Sequence, residues 1–139
     1  MDISNNAKKA RPSSTLSISS NANRMIDEGI DIVNFSAGEP DFNTPDYIKE
    51  AAIEAINDNF TKYTPYEGIV ELRQAVADDL KENCDLDYTP EQIVISNGSK
   101  HAITNAFMAI LNPGDEVIVP APYWNSYIDI IELCYGVPV

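Results

Sequence analysis

The stretch from residue 93 to residue 102 constrains the fold more than any other part of this sequence. It opens with three β-branched residues, Ile93-Val94-Ile95, which predict a buried parallel strand. Asn97-Gly98 then forms a turn. A helix is predicted after the turn, because apolar residues recur at helical spacing at Ile103, Ala106, Phe107, Ile110 and Leu111.

Such a strand–turn–helix arrangement points the first free N–H groups of the helix, and its positive dipole end, beyond the edge of the sheet. An anion, above all a phosphate, suits that position. An ordinary connection between a strand and a helix has the same pattern, so the neighbouring segments must decide between the two interpretations.

Helical periodicity predicts four more helices. The first runs from Leu16 to Glu28 and ends at Gly29, and residues 1 to about 15 before it are predicted to be a mobile arm. The second has Thr44 as N-cap and Pro45 in its first turn, and it extends to about Asn59. We expect it to bury Ile48, Ala51, Ala52, Ala55 and Ile56.

The remaining two helices and the strands complete the predicted order. In the third helix, Ile69, Leu72, Val76 and Leu80 should face inward and Glu71, Arg73, Asp78, Asp79 and Lys81 outward. The last helix carries Trp124, Tyr127, Ile128, Ile131 and Cys134. Strands are predicted at 31–35, 92–96 and 116–119, with a further one beginning at 137–139. From Thr44 onward this alternation predicts an α/β fold with a parallel sheet.

Composition narrows the function. The 139 residues carry a net charge of −13 with 9 basic residues, which argues against a nucleic-acid surface. The longest aliphatic run, residues 117–119, is too short to span a membrane, so no membrane partner is expected. Cys84 and Cys134 form no CxxC pair, which is typical of a reducing compartment, and we expect a cytoplasmic protein. His101 is the only histidine, so a His-rich metal site is excluded.

Three common catalytic or nucleotide-binding motifs are missing. Gly98 is followed by Ser99, and Ile93 stands where a Walker A loop needs its first glycine. The sequence has no GxGxxG fingerprint for a dinucleotide and no GxSxG elbow for a serine hydrolase.

Taken together, the loops resemble the N-terminal part of fold type I pyridoxal-phosphate enzymes, specifically the class I/II aminotransferases related to aspartate aminotransferase. The resemblance extends from about Leu16 to Val139 and accounts for roughly the first third of such an enzyme. The matching runs are Ser36-Ala37-Gly38-Glu39-Pro40-Asp41-Phe42-Asn43-Thr44-Pro45, Lys62-Tyr63-Thr64-Pro65-Tyr66-Glu67-Gly68 with Glu71-Leu72-Arg73, Ser96-Asn97-Gly98-Ser99-Lys100, and Pro113-Gly114-Asp115-Glu116-Val117 leading to Pro120-Ala121-Pro122-Tyr123-Trp124.

The resemblance implies a set of cofactor-binding residues for pyridoxal 5'-phosphate. Gly98, Ser99 and Lys100 would hold the phosphate through their backbone N–H groups, and Trp124 would lie against the pyridine ring. Tyr63 would reach the phosphate of the cofactor in a partner subunit, which implies a homodimer with shared active sites. Taken singly, these residues have plainer interpretations: a core tryptophan, a buried loop tyrosine and a solvated lysine.

The resemblance also implies substrate-binding residues. Gly38 would let the backbone approach the α-carboxylate, while Lys100 and Trp124 favour an acidic substrate such as aspartate or glutamate. The implied reaction moves an amino group between an amino acid and a 2-oxo acid. The Schiff-base lysine is expected beyond Val139, so no catalytic residue is assigned within this chain and the chain alone is predicted to be inactive.

Other functions are compatible with the same loops. A carbon–sulfur β-lyase uses the same scaffold, and a non-catalytic aminotransferase-like domain, such as the sensory domain of a regulator, would share the same loops. The resemblance further predicts two domain segments. Residues 1–43 would form the arm and the start of the small domain, and residues 44–139 the N-terminal part of the large cofactor-binding domain.

Overall fold

A computed structural model describes residues 2–9, 14–36 and 38–139. The described residues divide into a smaller unit, 14–36 with 38–61, and a larger unit, 2–9 with 62–139. The predicted domain boundary at residues 43 and 44 stays a prediction. The elements in chain order are a 3₁₀ turn at Ala7–Lys9, α1 (Ser14–Asp27), α2 (Asp46–Asn57), α3 (Val70–Cys84), a 3₁₀ turn at Pro90–Gln92, α4 (Gly98–Ile110), β1 (Glu116–Val117), α5 (Ser126–Leu133) and β2 (Val137–Pro138).

The smaller unit begins with α1, which ends as predicted. Gly29 has a left-handed φ of +78°, and its N–H donates to the carbonyl of Ile26 at 2.9 Å. The strand predicted at 31–35 does not form. This segment ends instead in a local turn, where the Asn34 side-chain oxygen accepts the Ser36 N–H at 2.9 Å.

Helix α2 starts one position later than predicted. Pro45 is the N-cap residue and no side chain caps the first turn, so the Thr44 hydroxyl does not have the predicted role. The helix ends at Asn57, and Asn59 follows it with a left-handed φ of 60°. None of the helix is buried, and Ile56 on the predicted inner face is 64% exposed. The predicted burial of that face is therefore wrong for the chain as it stands.

In the larger unit, β1 and β2 form a parallel pair with Glu116 opposite Val137. The hydrogen bonds continue past the strand ends, since the Val119 N–H donates to the Val139 carbonyl at 2.8 Å. Helix α5 lies between β1 and β2 in sequence, and the predicted α/β class with a parallel sheet is confirmed.

The core of the larger unit lies around α5. Ile130, Ile131 and Cys134 are buried there, and the Cys134 thiol lies 3.9 Å from the Thr104 carbonyl of α4. Burial raises the pKa of the Cys134 thiol, because the thiolate would lose its hydration. Gly136 lies so close that an added Cβ would come within 2.9 Å of Ile131. Close packing between α4 and α5 therefore holds this unit together.

Residues 92–96 do not form the predicted strand, although they connect the same elements. Ile93 is buried, and the Ile95 N–H donates to the Glu67 carbonyl at 2.8 Å. Within the described part of the chain, no neighbouring strand completes a ladder with this segment. A strand needs a hydrogen-bonded partner, so an extended segment without one is not a strand.

The predicted mobile arm lies partly outside the described residues, which omit 1 and 10–13. Residues 2–9 pack against α5, and the Asn6 side chain donates to the Leu133 carbonyl at 2.9 Å. Over the ranges that the structure describes, no helix combines the length and the apolar character needed to cross a membrane.

Candidate functional site

The turn before α4 uses up two of the N–H groups at the start of the helix. The Gly98 N–H donates to the Ser96 carbonyl at 2.9 Å, and the Asn97 N–H donates to Nδ1 of His101 at 3.0 Å. Gly98 has a φ of +77°, a conformation that side-chain-bearing residues rarely adopt. Among the described residues, no atom outside its chain neighbours and its own helix backbone lies within 4 Å of where its Cβ would be, so the glycine serves the backbone conformation and not close packing.

The next two N–H groups, those of Ser99 and Lys100, have no carbonyl acceptor within the helix, because the turn of helix that would supply one has not yet begun. They lie at the positive end of the α4 dipole. The Asn97 side chain does not cap them, and no acidic residue occurs in the first turn. This turn is therefore able to accept an anion through backbone N–H groups.

Trp124 lies next to this first turn. The Lys100 Nζ is 5.2 Å from the centroid of the Trp124 ring, within the range of a cation–π contact. The indole also meets Tyr127 edge to face, with centroids 5.5 Å apart, and it remains 40% exposed. Trp124 stands just before α5, after residues 120–122 have led the chain away from β1. The structure thus brings the Lys100 side chain and the Trp124 ring together, and their predicted roles in binding cofactor and substrate stay predictions.

An apolar cavity of about 390 Å³ is partly lined by Trp124. Its lining includes none of the first-turn residues of α4, so it is distinct from the anion-accepting turn. The lining residues are Phe107, Val117, Ile118, Val119, Pro120, Pro122, Tyr123, Trp124, Tyr127 and Ile131.

Tyr63 is fully exposed in the loop before α3, so the alternative of a tyrosine buried against the sheet is wrong. Within the described ranges its ring makes no aromatic contact, and it does not join the cluster of Lys100 and Trp124. Its predicted role, contact with a partner's cofactor, stays a prediction.

Gly38 belongs to the smaller unit, and Ala37, the residue before it in the sequence, lies outside the described residues. Among the described residues other than its chain neighbours, no atom lies within 4 Å of where a Cβ would be, and its φ is not in the left-handed region. Nothing in the described part of the chain therefore requires glycine here. The predicted contact with a substrate carboxylate stays a prediction.

Two residues make contacts that the sequence pattern did not predict. His101 is the only histidine of the sequence, and its ring accepts the Asn97 N–H. The spacing of Asn97 and His101 could have predicted this contact, because a side chain one turn after an N-cap residue can reach back to the N–H of that residue. Arg73 was predicted to face outward, which is wrong: it is half-buried and donates to the carbonyls of Gly68 and Pro90. No helical pattern distinguishes such an arginine from a solvated one.

One further ionisable group has an altered pKa, away from the α4 turn. A hydrogen bond from the Thr89 side chain is the main factor that lowers the pKa of Glu91, and the backbone of Glu91 adds to it. Glu91 lies in the 3₁₀ turn that Thr89 and Gln92 cap reciprocally. This shift therefore belongs to a structural cap.

The chain has the fold of aminotransferases of known structure. The aspartate aminotransferase from Thermus thermophilus with maleate matches it with a TM-score of 0.95 and 42% sequence identity, over 100% of this chain and 36% of that chain. The alanine aminotransferase from Pyrococcus furiosus matches with a TM-score of 0.89 and 29% identity, over 99% of this chain and 36% of that one. The fold is thus the N-terminal part of the fold type I transferases, as predicted.

The sequence profile described as "Aminotransferase class I and II" matches residues 30–139, and the chain belongs to this family. A probable aspartate/prephenate aminotransferase from Rhizobium leguminosarum bv. phaseoli is 52% identical over 128 residues, which are 92% of this chain and 32% of that protein. An aspartate aminotransferase from Bacillus sp. (strain YM-2) is 45% identical over 99% of this chain and 35% of its own length. The chain spans about a third of the length of these relatives.

Proposed function

We propose that this chain is the N-terminal part of a pyridoxal-phosphate-dependent aminotransferase, which moves an amino group between an amino acid and a 2-oxo acid. The observation that carries the proposal is the close approach of Trp124 to the first turn of α4, where Lys100 Nζ lies 5.2 Å from the indole. Membership of the aminotransferase class I and II family supports it, because that family implies this cofactor. We call the protein of full family length the complete enzyme.

The residues present fit the cofactor. The N–H groups of Ser99 and Lys100, which follow the left-handed Gly98 at the start of α4, would hold its phosphate. The 40% exposed Trp124 ring would lie against the pyridine ring and fix its plane. When bound, the cofactor withdraws electrons from the carbon that carries the amino group. The contribution of this chain is to bind and orient that group.

The favoured substrate is an acidic amino acid such as aspartate or glutamate. A cation at a helix N-terminus opposes the dipole, so the Lys100 ammonium gains from an anionic partner. It is held beside Trp124, where a substrate carboxylate would complete the charge balance. Relatives with names that include aspartate and prephenate, both carboxylates, support this preference. Gly38 would allow the backbone to approach the α-carboxylate of the substrate, as the family resemblance implies.

A homodimer with shared active sites is part of the proposal. Its support is the full exposure of Tyr63, an aromatic ring in a loop that the larger unit leaves uncovered. A cytoplasmic location also belongs to the proposal, supported by the two free cysteines, Cys84 and Cys134.

The test is to purify the complete enzyme and record its absorbance with added pyridoxal phosphate, then assay amino transfer from aspartate to 2-oxoglutarate. We expect a bound chromophore and amino transfer for the complete enzyme, and neither lysine-bound chromophore nor turnover for residues 1–139 alone. With a sulfur-containing amino acid such as cystathionine as the substrate, release of pyruvate, ammonia and a thiol in place of amino transfer would favour a carbon–sulfur β-lyase. A bound cofactor without any turnover would favour a non-catalytic binding domain. A complete enzyme that binds no cofactor would refute the proposal.

A further inference from the structure

Arg73 connects two segments that are distant in sequence. From its position in α3, its Nε donates to the Gly68 carbonyl at 3.2 Å, and its Nη1 donates to the Pro90 carbonyl at 2.9 Å. Gly68 ends the loop that carries Tyr63, and Pro90 begins the 3₁₀ turn that leads towards α4. One half-buried guanidinium thus holds both segments.

A second contact joins the same two segments a few residues further along. The Ile95 N–H donates to the Glu67 carbonyl at 2.8 Å. Gly68 lies directly against Ile95, because an added Cβ would come within 2.5 Å of the Ile95 Cγ1. The end of the Tyr63 loop and the segment before the α4 turn are therefore fixed to each other at two points.

The chemistry of arginine suits this connection. Its planar group presents donors in a fixed fork, so it can bond two carbonyls that face different sides. A lysine at the same position has a compact charge on a flexible stem and would satisfy the two carbonyls less well. A partly buried carbonyl that is left without its hydrogen-bond donor destabilises the folded protein.

We propose that Arg73 is a positioning residue for the cofactor phosphate. It keeps the loop of Tyr63 (residues 62–68) in register with the segment 93–97, which delivers the N–H groups of Ser99 and Lys100. This inference rests on the proposed function. There, the α4 turn binds the phosphate of the cofactor in its own subunit, and Tyr63 reaches the phosphate of the cofactor in the partner subunit. Arg73 itself touches neither cofactor nor substrate.

The experiment measures cofactor dissociation constants by absorbance titration of the complete enzyme, for the unchanged protein and for Arg73→Met and Arg73→Lys. Arg73→Met removes both hydrogen bonds to the carbonyls, and we expect about 10-fold weaker cofactor binding, as if one hydrogen bond from the displaced Tyr63 to the phosphate were lost, with a smaller loss for Arg73→Lys. Ala77→Gly is the matched control. It lies on the same helix, at a site that is 3% exposed, and it should lower the melting temperature without weakening cofactor binding.

A double-mutant cycle with Tyr63→Phe tests whether Arg73 acts through the loop. Coupled losses in cofactor affinity are expected, because the two residues would act on one phosphate contact. Unchanged cofactor affinity in both Arg73 variants would overturn the inference, as would an equal loss in Ala77→Gly at the same drop in melting temperature. If Arg73→Met does not fold, the Arg73→Lys titration decides alone. Failure of the unchanged complete enzyme to bind cofactor is a separate result, which would refute the proposed function instead.

Discussion

At the scale of single residues, Gly98 and Gly114 form a matched pair. Both have a left-handed φ, +77° and +93°, and neither has an atom within 4 Å of the place of a Cβ. Gly98→Ala and Gly114→Ala should therefore each lower the free energy of unfolding by about 1–2 kcal/mol through backbone strain alone. Only Gly98→Ala should also weaken cofactor binding, because only Gly98 shapes the turn before Ser99. Urea unfolding and cofactor titration of both variants in the complete enzyme check this. Equal cofactor affinity in the two variants would remove Gly98 from the phosphate site.

The two cysteines should react very differently. Cys84 is exposed, whereas Cys134 is buried and its pKa is raised by that burial. Because alkylation needs the thiolate, iodoacetamide at neutral pH should label Cys84 in the freshly diluted chain and leave Cys134 unlabelled until urea is added. Peptide mass spectrometry measures both sites. Equal labelling of the two thiols without urea would show that the packing between α4 and α5 is not maintained.

The raised pKa of Cys134 also sets the sign of a pH effect. A folded-state pKa above the unfolded value means that its contribution to stability is complete below about pH 8.5, the ordinary thiol value, and is lost as the pH rises through the higher folded value. We expect Cys134→Ser to reduce this alkaline loss of stability. Unfolding midpoints of both proteins between neutral and alkaline pH would show it.

At the scale of elements, helices were more predictable than strands, because helical periodicity is local and strand pairing is not. The spacing of Ile103, Phe107 and Leu111 predicted α4, and the structure begins that helix at Gly98, as the turn signal required. The segments 31–35 and 92–96 have strand-like composition, yet neither has a partner strand among the described residues. Whether a segment has a partner strand depends on the rest of the fold, so the residues of the segment alone do not predict it.

In the candidate site, too, local sequence features were predictable and contacts between distant segments were not. The α4 turn was predictable because glycine, hydroxyl and lysine side chains follow a β-branched run, and a resemblance to a known family located Trp124. The contacts of Arg73 and His101 were not predictable, because each depends on which carbonyl or N–H group the folded backbone brings near. The roles predicted for Tyr63 and Gly38 need groups that this chain does not itself bring to them.

The contact between Gly68 and Ile95 leads to a prediction about the loop and the segment before α4. Gly68→Ala combines a φ of +104° with a Cβ that would lie 2.5 Å from Ile95 Cγ1. We expect it to lower the free energy of unfolding by about 2–5 kcal/mol, more than Gly98→Ala, since strain and overpacking add. Ile95→Ala in the same protein should recover part of the loss by removing the nearest atom. Thermal melts that show the same loss of stability for Gly68→Ala and Gly98→Ala would contradict the close approach of Gly68 to Ile95.

At the scale of the whole molecule, the proposed sharing of active sites predicts complementation between two defective subunits. In the complete enzyme, Tyr63→Ala removes the group that would reach the partner's cofactor, and Trp124→Ala removes the ring that would cover the subunit's own cofactor. A mixed dimer would keep one site with an intact Trp124 and an intact Tyr63 from the partner. Unfolding and refolding a mixture of the two variants should therefore restore activity that neither shows alone. The same variants refolded separately are the control, and no gain on mixing would refute sharing.

The isolated chain of 139 residues is expected to aggregate, for a reason that concerns its whole surface. Over residues 2–9, 14–36 and 38–139 its parallel sheet has two strands, and β1 pairs on one side only, with β2. Ile118, next to β1, is 80% exposed and borders the apolar cavity, and Met108 on α4 is 71% exposed. An open strand edge beside apolar surface invites pairing with another copy. The net charge of −13 opposes this association but is spread over the surface.

The measurement is size-exclusion chromatography with light scattering over a range of concentrations, on the isolated chain and on Ile118→Lys. A lysine at the open edge repels a second edge and leaves the pairing of β1 with β2 intact, so we expect the variant to stay smaller at the same concentration. Thr61→Lys is the matched control, since it adds the same charge at an exposed position outside the sheet and should change the aggregate size little. A monomeric unchanged chain with a sharp, cooperative melt would contradict the open edge. An equal gain in solubility from both lysines would mean that net charge, and not strand pairing, governs the association.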